Sequence, residues 1–211
     1  MLANSDLVLG SQSLDGFDRD ALTDVREAAE TLHRMVLNLL DIQAGEDGRL
    51  DPELTVVSTL EALEEVARAS AGRAGDVTIR VEHFGVGSDP EVPADPELLR
   101  RILTNLVDNC LKYGPSDGTI WLRVRKSGDD AVLFQVSDEG PGVPPDLRGA
   151  IFERYAKVER DNARRDPTSR GLGLRFCKLA VEAHHGSIWV EDNEPKGARF
   201  CFELPTDPNP T

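Results

Sequence analysis

The sequence predicts an α+β fold: a two-layer sandwich of a mixed, mostly antiparallel sheet with helices on one face, preceded by a helical-bundle stub. Three observations predict it. A heptad-spaced helical stretch over 18–44 runs without Gly or Pro until GEDG at 45–48. Beyond Leu54, helical and alternating segments interleave as helix, strand, helix, two strands, loops, helix, two strands. The paired strands are joined by short turn segments, the connection that antiparallel neighbours need.

The elements follow in order. Leu22, Val25, Ala29, Leu32, Val36 and Leu39 repeat at 3-4-3-4-3 spacing, a bundle seam with charges on the other faces. A lone helix cannot bury such a stripe, so it demands a partner helix: residues 1–14, another subunit, or both. The competing reading is one amphipathic helix packed on the downstream domain; heptad regularity favours the bundle. GEDGRLDPE reads as a linker. The expected units are 1–48 as the helical stub, 49–206 as the main domain and 207–211 as a disordered tail. Ser58-Thr-Leu-Glu61 is a capping box opening a helix to about Ala71. DVTIRVEH (76–83) alternates as a strand. Asp95-Pro96 supplies an N-cap and a proline at the first helical position, and that helix runs to about Tyr113. GTIWLRVRK (118–126) and AVLFQVSD (131–138) are strands across SGDD. A loop, DEGPGVPPD, leads to a short helix around Leu147–Arg154. Residues 156–170 are charged, lack an apolar period and read as a loop. GLGLRFCKLAVEAHHG is a helix stopped by Gly186. SIWVEDN and ARFCFELP form a last hairpin around EPKG.

Composition narrows the function. The 211 residues are 39 % hydrophobic, enough for a core, and carry a formal charge of −14. Such a surface repels nucleic acid and anionic lipid, so neither is expected as a partner. An anionic nucleotide binds only where local donors or a metal overcome that field. Cys110, Cys177 and Cys201 are far apart, lie in apolar runs and form no C-x-x-C, so they read as reduced core thiols. The apolar runs are short of a membrane span, and the N-terminus lacks a basic region and a clean apolar block. A cytoplasmic segment without membrane contact is expected, though a full-length parent could be membrane-anchored.

The chemistry is concentrated in four stretches. In NLVDNCLKYGP (105–115), Asn105, Asn109 and Lys112 fall on one narrow helical face, while Leu99, Ile102, Leu103, Leu106 and Cys110 point toward a core. Asparagine is a poor helix former, so two on one stripe call for a reason. Amide oxygens suit Mg²⁺, which takes few protein ligands, and an ammonium group suits phosphate; solvated helix faces also carry Asn and Lys routinely. In DEGPGVP (138–144), Asp138 ends a strand, where a carboxylate can accept from an exocyclic amine. Gly140 and Gly142 let the backbone approach a flat ligand, though an ordinary turn has the same look. Ile151-Phe152-Glu153-Arg154-Tyr155 comes next. Gly171-Leu172-Gly173-Leu174 opens a helix, whose free N–H groups favour phosphate; it is not a dinucleotide fingerprint, having no third glycine and no strand leading into it.

These four boxes in this order resemble the catalytic ATP-binding domain of bacterial sensor histidine kinases, in the superfamily that includes gyrase, a heat-shock chaperone and MutL. The resemblance covers about 54–205. ETLHRMVLNLLDIQAGEDGRL (30–50) resembles the second helix of the family's dimerisation and phosphotransfer hairpin. The resemblance implies ATP and Mg²⁺ as ligands and an ATP-dependent protein-histidine kinase activity. It implies that Asn109 holds the metal, that Asn105 orders the γ-phosphate, and that Lys112 and Tyr113 contact phosphates and ribose; Asn105 and Lys112 are the expected catalytic positions. Asp138 would accept from the adenine amino group, with Gly140 and Gly142 beside the base and Ile151 in its pocket. Phe152 would anchor a lid over 156–170, and Lys157 stands where the family often has arginine. Gly171, Leu172, Gly173 and Leu174 would form the hinge around the phosphates. The hydrolysing members carry Glu at position 105; Asn cannot take a proton, so phosphoryl transfer to a protein nucleophile fits better than hydrolysis.

Two departures bear on activity. Ser169-Arg170 replaces the first glycine of the family's G-x-G-x-G-L, and Arg170 is expected to meet phosphate instead. No phosphoacceptor motif is present, so autophosphorylation is not expected. His33 lies on the stub helix, His83 at a strand end, and His184 and His185 at a helix end, where positive charge complements the dipole; all read as structural. Expected partners are a response-regulator receiver domain and a histidine-bearing phosphotransfer helix, with a homodimer through 1–44 left open. The alternatives are a non-catalytic nucleotide-sensing or pseudokinase module, and an anti-sigma-type serine kinase, a class that lacks the bundle helix.

Overall fold

A computed structural model describes residues 16–83, 90–154 and 171–207. Helix α1 spans Gly16–Glu46, β1 Thr55–Ser58, α2 Thr59–Ser70, β2 Thr78–His83, β3 Glu91–Ala94 and α3 Pro96–Tyr113. Strands β4 (Thr119–Ser127) and β5 (Ala131–Ser137) follow, then α4 (Gly173–Ala183), β6 (Ser187–Asp192) and β7 (Ala198–Pro205). A five-stranded sheet has the order β2-β4-β5-β7-β6. Only β2 and β4 are parallel; the other pairs are antiparallel. This is the expected mixed sheet.

One sheet face is the core. Ile120, Leu122, Val124, Val132, Phe134, Val136, Phe200, Phe202 and Leu204 alternate inward and are buried with the apolar sides of α3 and α4. Phe134 and Phe202 sit opposite each other in register and stack with centroids 4.6 Å apart. All three cysteines are buried in this interior or at its back, and burial pushes the thiol of Cys177 up and that of Cys201 up to about 12. Such thiols stay protonated and unreactive.

Three expectations are corrected, and one element is new. The two-stranded ribbon of β1 and β3 was not anticipated. Each strand has four residues, β3 contains Pro93, and the pairing spans the whole of α2, so neither carries a local signal. GEDG does not begin a linker at Gly45: α1 continues through Glu46, and a Cβ at Gly45 would stand 3.0 Å from Leu179 Cβ. Glu46 also pairs with Arg154 at 3.5 Å and Arg175 at 3.2 Å. The short helix near 147–154 resolves into two 3₁₀ turns, Pro145–Leu147 and Ala150–Phe152. His184 is not a charged dipole cap. Its Nε2 accepts from the Asp95 N–H at 2.9 Å and its Nδ1 faces the Ala180 carbonyl at 2.7 Å, which requires the neutral tautomer; burial lowers its pKa.

The expected seam and the expected docked helix are two faces of one α1. Val25, Leu32, Val36 and Leu39 are exposed, whereas Asn38 and Ile42 are buried against the domain. Leu22 and residues 1–14 lie outside the residues whose side chains are described. No helix among the described residues is long and apolar enough to cross a membrane.

Candidate nucleotide site

Helix α3 is the site's frame, and its two ends are set by local chemistry. Asp95 Oδ1 accepts from the N–H groups of Glu97 and Leu98, both at 3.0 Å, with Pro96 at the first helical position. At the other end Gly114 donates to the Cys110 carbonyl at 2.8 Å. Between these caps Leu98, Leu99, Ile102, Leu103, Leu106 and Cys110 are buried. That anchoring fixes the rotation of the helix and lines up Asn105, Asn109 and Lys112.

Asp138 follows β5 and is 4 % exposed. Its Oδ1 accepts from Gly140 N–H at 2.7 Å and from Ala198 N–H at 3.4 Å, while Asn193 Nδ2 donates to its carbonyl at 2.9 Å. The Cys110 thiol on α3 is raised well above its usual range by burial first, then by the charge and hydrogen bond of Asp138. The carboxylate therefore sits against the last turn of α3. Two glycines permit this. A Cβ at Gly140 would lie 2.7 Å from Asp138 Oδ1, 3.0 Å from the Tyr113 carbonyl and 3.1 Å from Gly114 Cα. A Cβ at Gly197, which has φ 121°, would run into the Asp138 carbonyl. Gly142 closes on the same turn, beside the Gly197 carbonyl.

The start of α4 meets the middle of α3. Gly171 has φ 64°, Leu172 is the buried N-cap with no side-chain cap bond, and Gly173 is the first helical residue. A Cβ at Gly173 would stand 3.0 Å from Asn105 Oδ1. The first N–H groups of α4, which lack a side-chain cap, thus begin beside the asparagine stripe. Asn105 is 9 % exposed and its Nδ2 donates to the Arg101 carbonyl at 2.9 Å. Asn109 is half-buried and its amide makes no hydrogen bond among the described residues. Lys112 is half-buried with Nζ 5.3 Å from the ring centroid of Tyr113. Leu174 is half-buried, and Ile151 and Phe152 are buried in their 3₁₀ turn.

The sequence-derived residues therefore converge on α3: Asn105 with Gly173 at mid-helix, Asp138 and Gly140 at its end. The whole of the expected lid, 156–170 with Lys157 and Arg170, lies outside the described residues, as does Tyr155. Sequence reasoning missed Gly114, Asn193 and Gly197, which hold Asp138 in place. The glycine directly after the α3 lysine-tyrosine pair and the asparagine and glycine flanking EPK were the available signals. A separate open cavity of about 240 Å³ lies away from α3, lined by Arg148, Gly149, Phe152, Lys178 and β6 residues 188–190.

The profile of the histidine kinase-, DNA gyrase B- and HSP90-like ATPase family matches residues 94–208. The chain belongs to this family. Its match begins just before the Asp95 cap and spans α3, the Asp138 turn and the Gly171–Leu174 start of α4. Among curated proteins it is 36 % identical over 192 residues to the adaptive-response sensory kinase SasA of Trichormus variabilis, covering 89 % of this chain and 46 % of the kinase. The chain thus spans about half the length of the curated relatives it matches. Among solved structures it superposes on full-length ShkA in complex with AMPPNP with a TM-score of 0.72 at 27 % identity, covering 99 % of this chain and 43 % of ShkA. The histidine kinase ThkA in complex with the response regulator TrrA shares the fold, with a TM-score of 0.65 at 22 % identity over 98 % of this chain and 59 % of ThkA. The chain is homologous to the ATP-binding catalytic portion of sensor histidine kinases.

Proposed function

We propose that the chain binds ATP with Mg²⁺ along α3 and transfers the γ-phosphoryl group to a histidine lying outside these 211 residues. One observation carries this reading. Asn105 and the first turn of α4 meet on the same helix whose last turn receives Asp138, so phosphate-type donors and an amine acceptor flank one stretch of α3.

The residues have distinct tasks in this reading. Asp138, held by Gly140 and Ala198, accepts from the adenine amino group, and Gly140, Gly142 and Ile151 leave room for the base. The start of α4, Lys112 and Tyr113, and Lys157 and Arg170 from the lid, hold phosphate and ribose. Asn109 fits a metal ligand because its amide oxygen is unengaged among the described residues, and Mg²⁺ accepts a single neutral oxygen when water and phosphates complete its shell. Bound Mg²⁺ neutralises developing charge on the phosphates. Asn105 orients without acting as a base, because an amide takes no proton near neutral pH. That favours transfer to a protein nucleophile over attack by water.

Residues 1–48 are proposed as part of a dimerisation and phosphotransfer hairpin, with the exposed stripe of Val25, Leu32, Val36 and Leu39 as its seam. A receiver domain of a response regulator is the proposed downstream partner, in a cytoplasmic setting. The test is transfer in trans. The chain is incubated with γ-labelled ATP, Mg²⁺ and a supplied histidine-bearing phosphotransfer hairpin. Acid-labile label on the hairpin, and none on this chain, supports the reading. Nucleotide binding without transfer would make it a sensing module; histidine-linked label on the chain itself would refute the assignment of an external acceptor.

A further inference from the structure

Helix α1 meets α3 through a buried polar knot, separate from its apolar stripe. Arg101 lies one turn before Asn105 and is 7 % exposed. Its guanidinium pairs with Asp41 on α1 at 2.6 Å, donates to Asn38 Oδ1 at 2.9 Å and stacks over Phe176 of α4, 4.3 Å from the ring centroid. Asn38 is itself 4 % exposed, and its Nδ2 donates to Asn105 Oδ1 at 3.4 Å. Asn105 Nδ2 donates to the Arg101 carbonyl.

The polarity of this chain of amides is determined at both ends. Guanidinium only donates, so the Asn38 atom facing Arg101 must be its oxygen and its NH₂ must face onward. A backbone carbonyl only accepts, so the Asn105 atom facing it must be NH₂. The Asn105 oxygen is therefore the atom turned to Asn38, beside the start of α4. Rotating either amide by half a turn would set donor against donor or acceptor against acceptor.

We propose that Asn38 and Arg101 are positioning residues for Asn105: while α1 is docked they hold its oxygen, rather than its NH₂, beside the start of α4, where a phosphate needs a donor. This rests on the ATP reading above. Docking of α1 at this face and donation by the Asn105 amide to the phosphates then compete, and the coupling is reciprocal: a bound triphosphate weakens the α1 contact. Because the Asn38–Asn105 bond is long, the coupling is modest. Asp41 supplies the attraction that keeps α1 in place, and the Asn38 amide conveys it to the site.

The test measures nucleotide affinity of the full chain for wild type, Asn38→Ala and Asn38→Leu, the last preserving the side-chain volume against α3. Mg²⁺·ATP and AMP are the probes. AMP lacks the phosphates that Asn105 would meet, so a general loosening of the domain would move both ligands together. The expected result is Mg²⁺·ATP binding tightened about threefold in both variants, on the order of one weak hydrogen bond, with AMP affinity unchanged. Unchanged or weaker Mg²⁺·ATP binding, or equal shifts for the two ligands, overturns the proposal. Absence of Mg²⁺·ATP binding to wild type overturns the ATP reading itself and this inference with it.

Discussion

Replacing Asp138 by asparagine preserves the side-chain shape and removes one charge. The structure dictates how the new amide must sit. The N–H groups of Gly140 and Ala198 converge on Oδ1, so the asparagine oxygen takes that position and its NH₂ takes the other. The proposed adenine contact then sets a donor against the amino group of the base. The lost interaction is a hydrogen bond to a charged group, worth about 1.5–3 kcal/mol. That corresponds to roughly a tenfold to 150-fold loss of ATP affinity. Inosine triphosphate, whose base has a carbonyl in place of the amine, accepts from the new NH₂ and should bind the variant better than it binds wild type. Removing the charge also lets the Cys110 thiol titrate lower, since Asp138 is among the causes that raise it. Competition titrations of ATP and inosine triphosphate against a fluorescent analogue, with thermal melts as the folding control, read all of this. A loss of ATP affinity below about threefold, or parallel losses for the two nucleotides, would refute the assignment of Asp138 to the base.

Gly197→Ala should destabilise the Asp138 turn by about 2 kcal/mol, because its Cβ meets the Asp138 carbonyl at a φ unsuited to alanine, and should weaken ATP binding. Gly149→Ala, where a Cβ meets nothing within 4 Å, is the control; equal urea midpoints for the two variants would contradict the close approach. His184 predicts a pH dependence. Burial lowers its pKa below 6.5 in the folded state, so the unfolded chain takes up the proton first as pH falls. Its contribution is intact above about 6.5 and is lost as pH descends through the folded value. Urea midpoints at about pH 7.5 and about pH 5.5 should converge in His184→Gln relative to wild type; an unaltered pH slope would count against a buried neutral His184.

How much of this was legible depended on whether the signal was local. The start of α3 followed from Asp95-Pro96 and its run to about Tyr113 from the apolar period, and the helix spans Pro96–Tyr113. The convergence of Asn105, Asp138 and Gly173 was anticipated because family order supplied what spacing alone does not. The β1–β3 ribbon was not legible, since four-residue strands are made by their partners. The charge state of His184 was misread for a similar reason: the Asp95 N–H that fixes its tautomer is 89 residues away. The stripe on α1 is exposed, whereas its opposite face, with Asn38, Asp41 and Ile42, resembles a solvated helix face until α3 is placed against it.

The central claim is that the nucleotide lies along α3, between the Asp138 turn and the start of α4. The most direct measurement is the shift of backbone amide resonances on titration with Mg²⁺ and AMPPNP. The account predicts the largest changes at 105–114, 138–142 and 171–175. Changes concentrated instead at Arg148, Lys178 and Trp189, around the separate cavity, would contradict it.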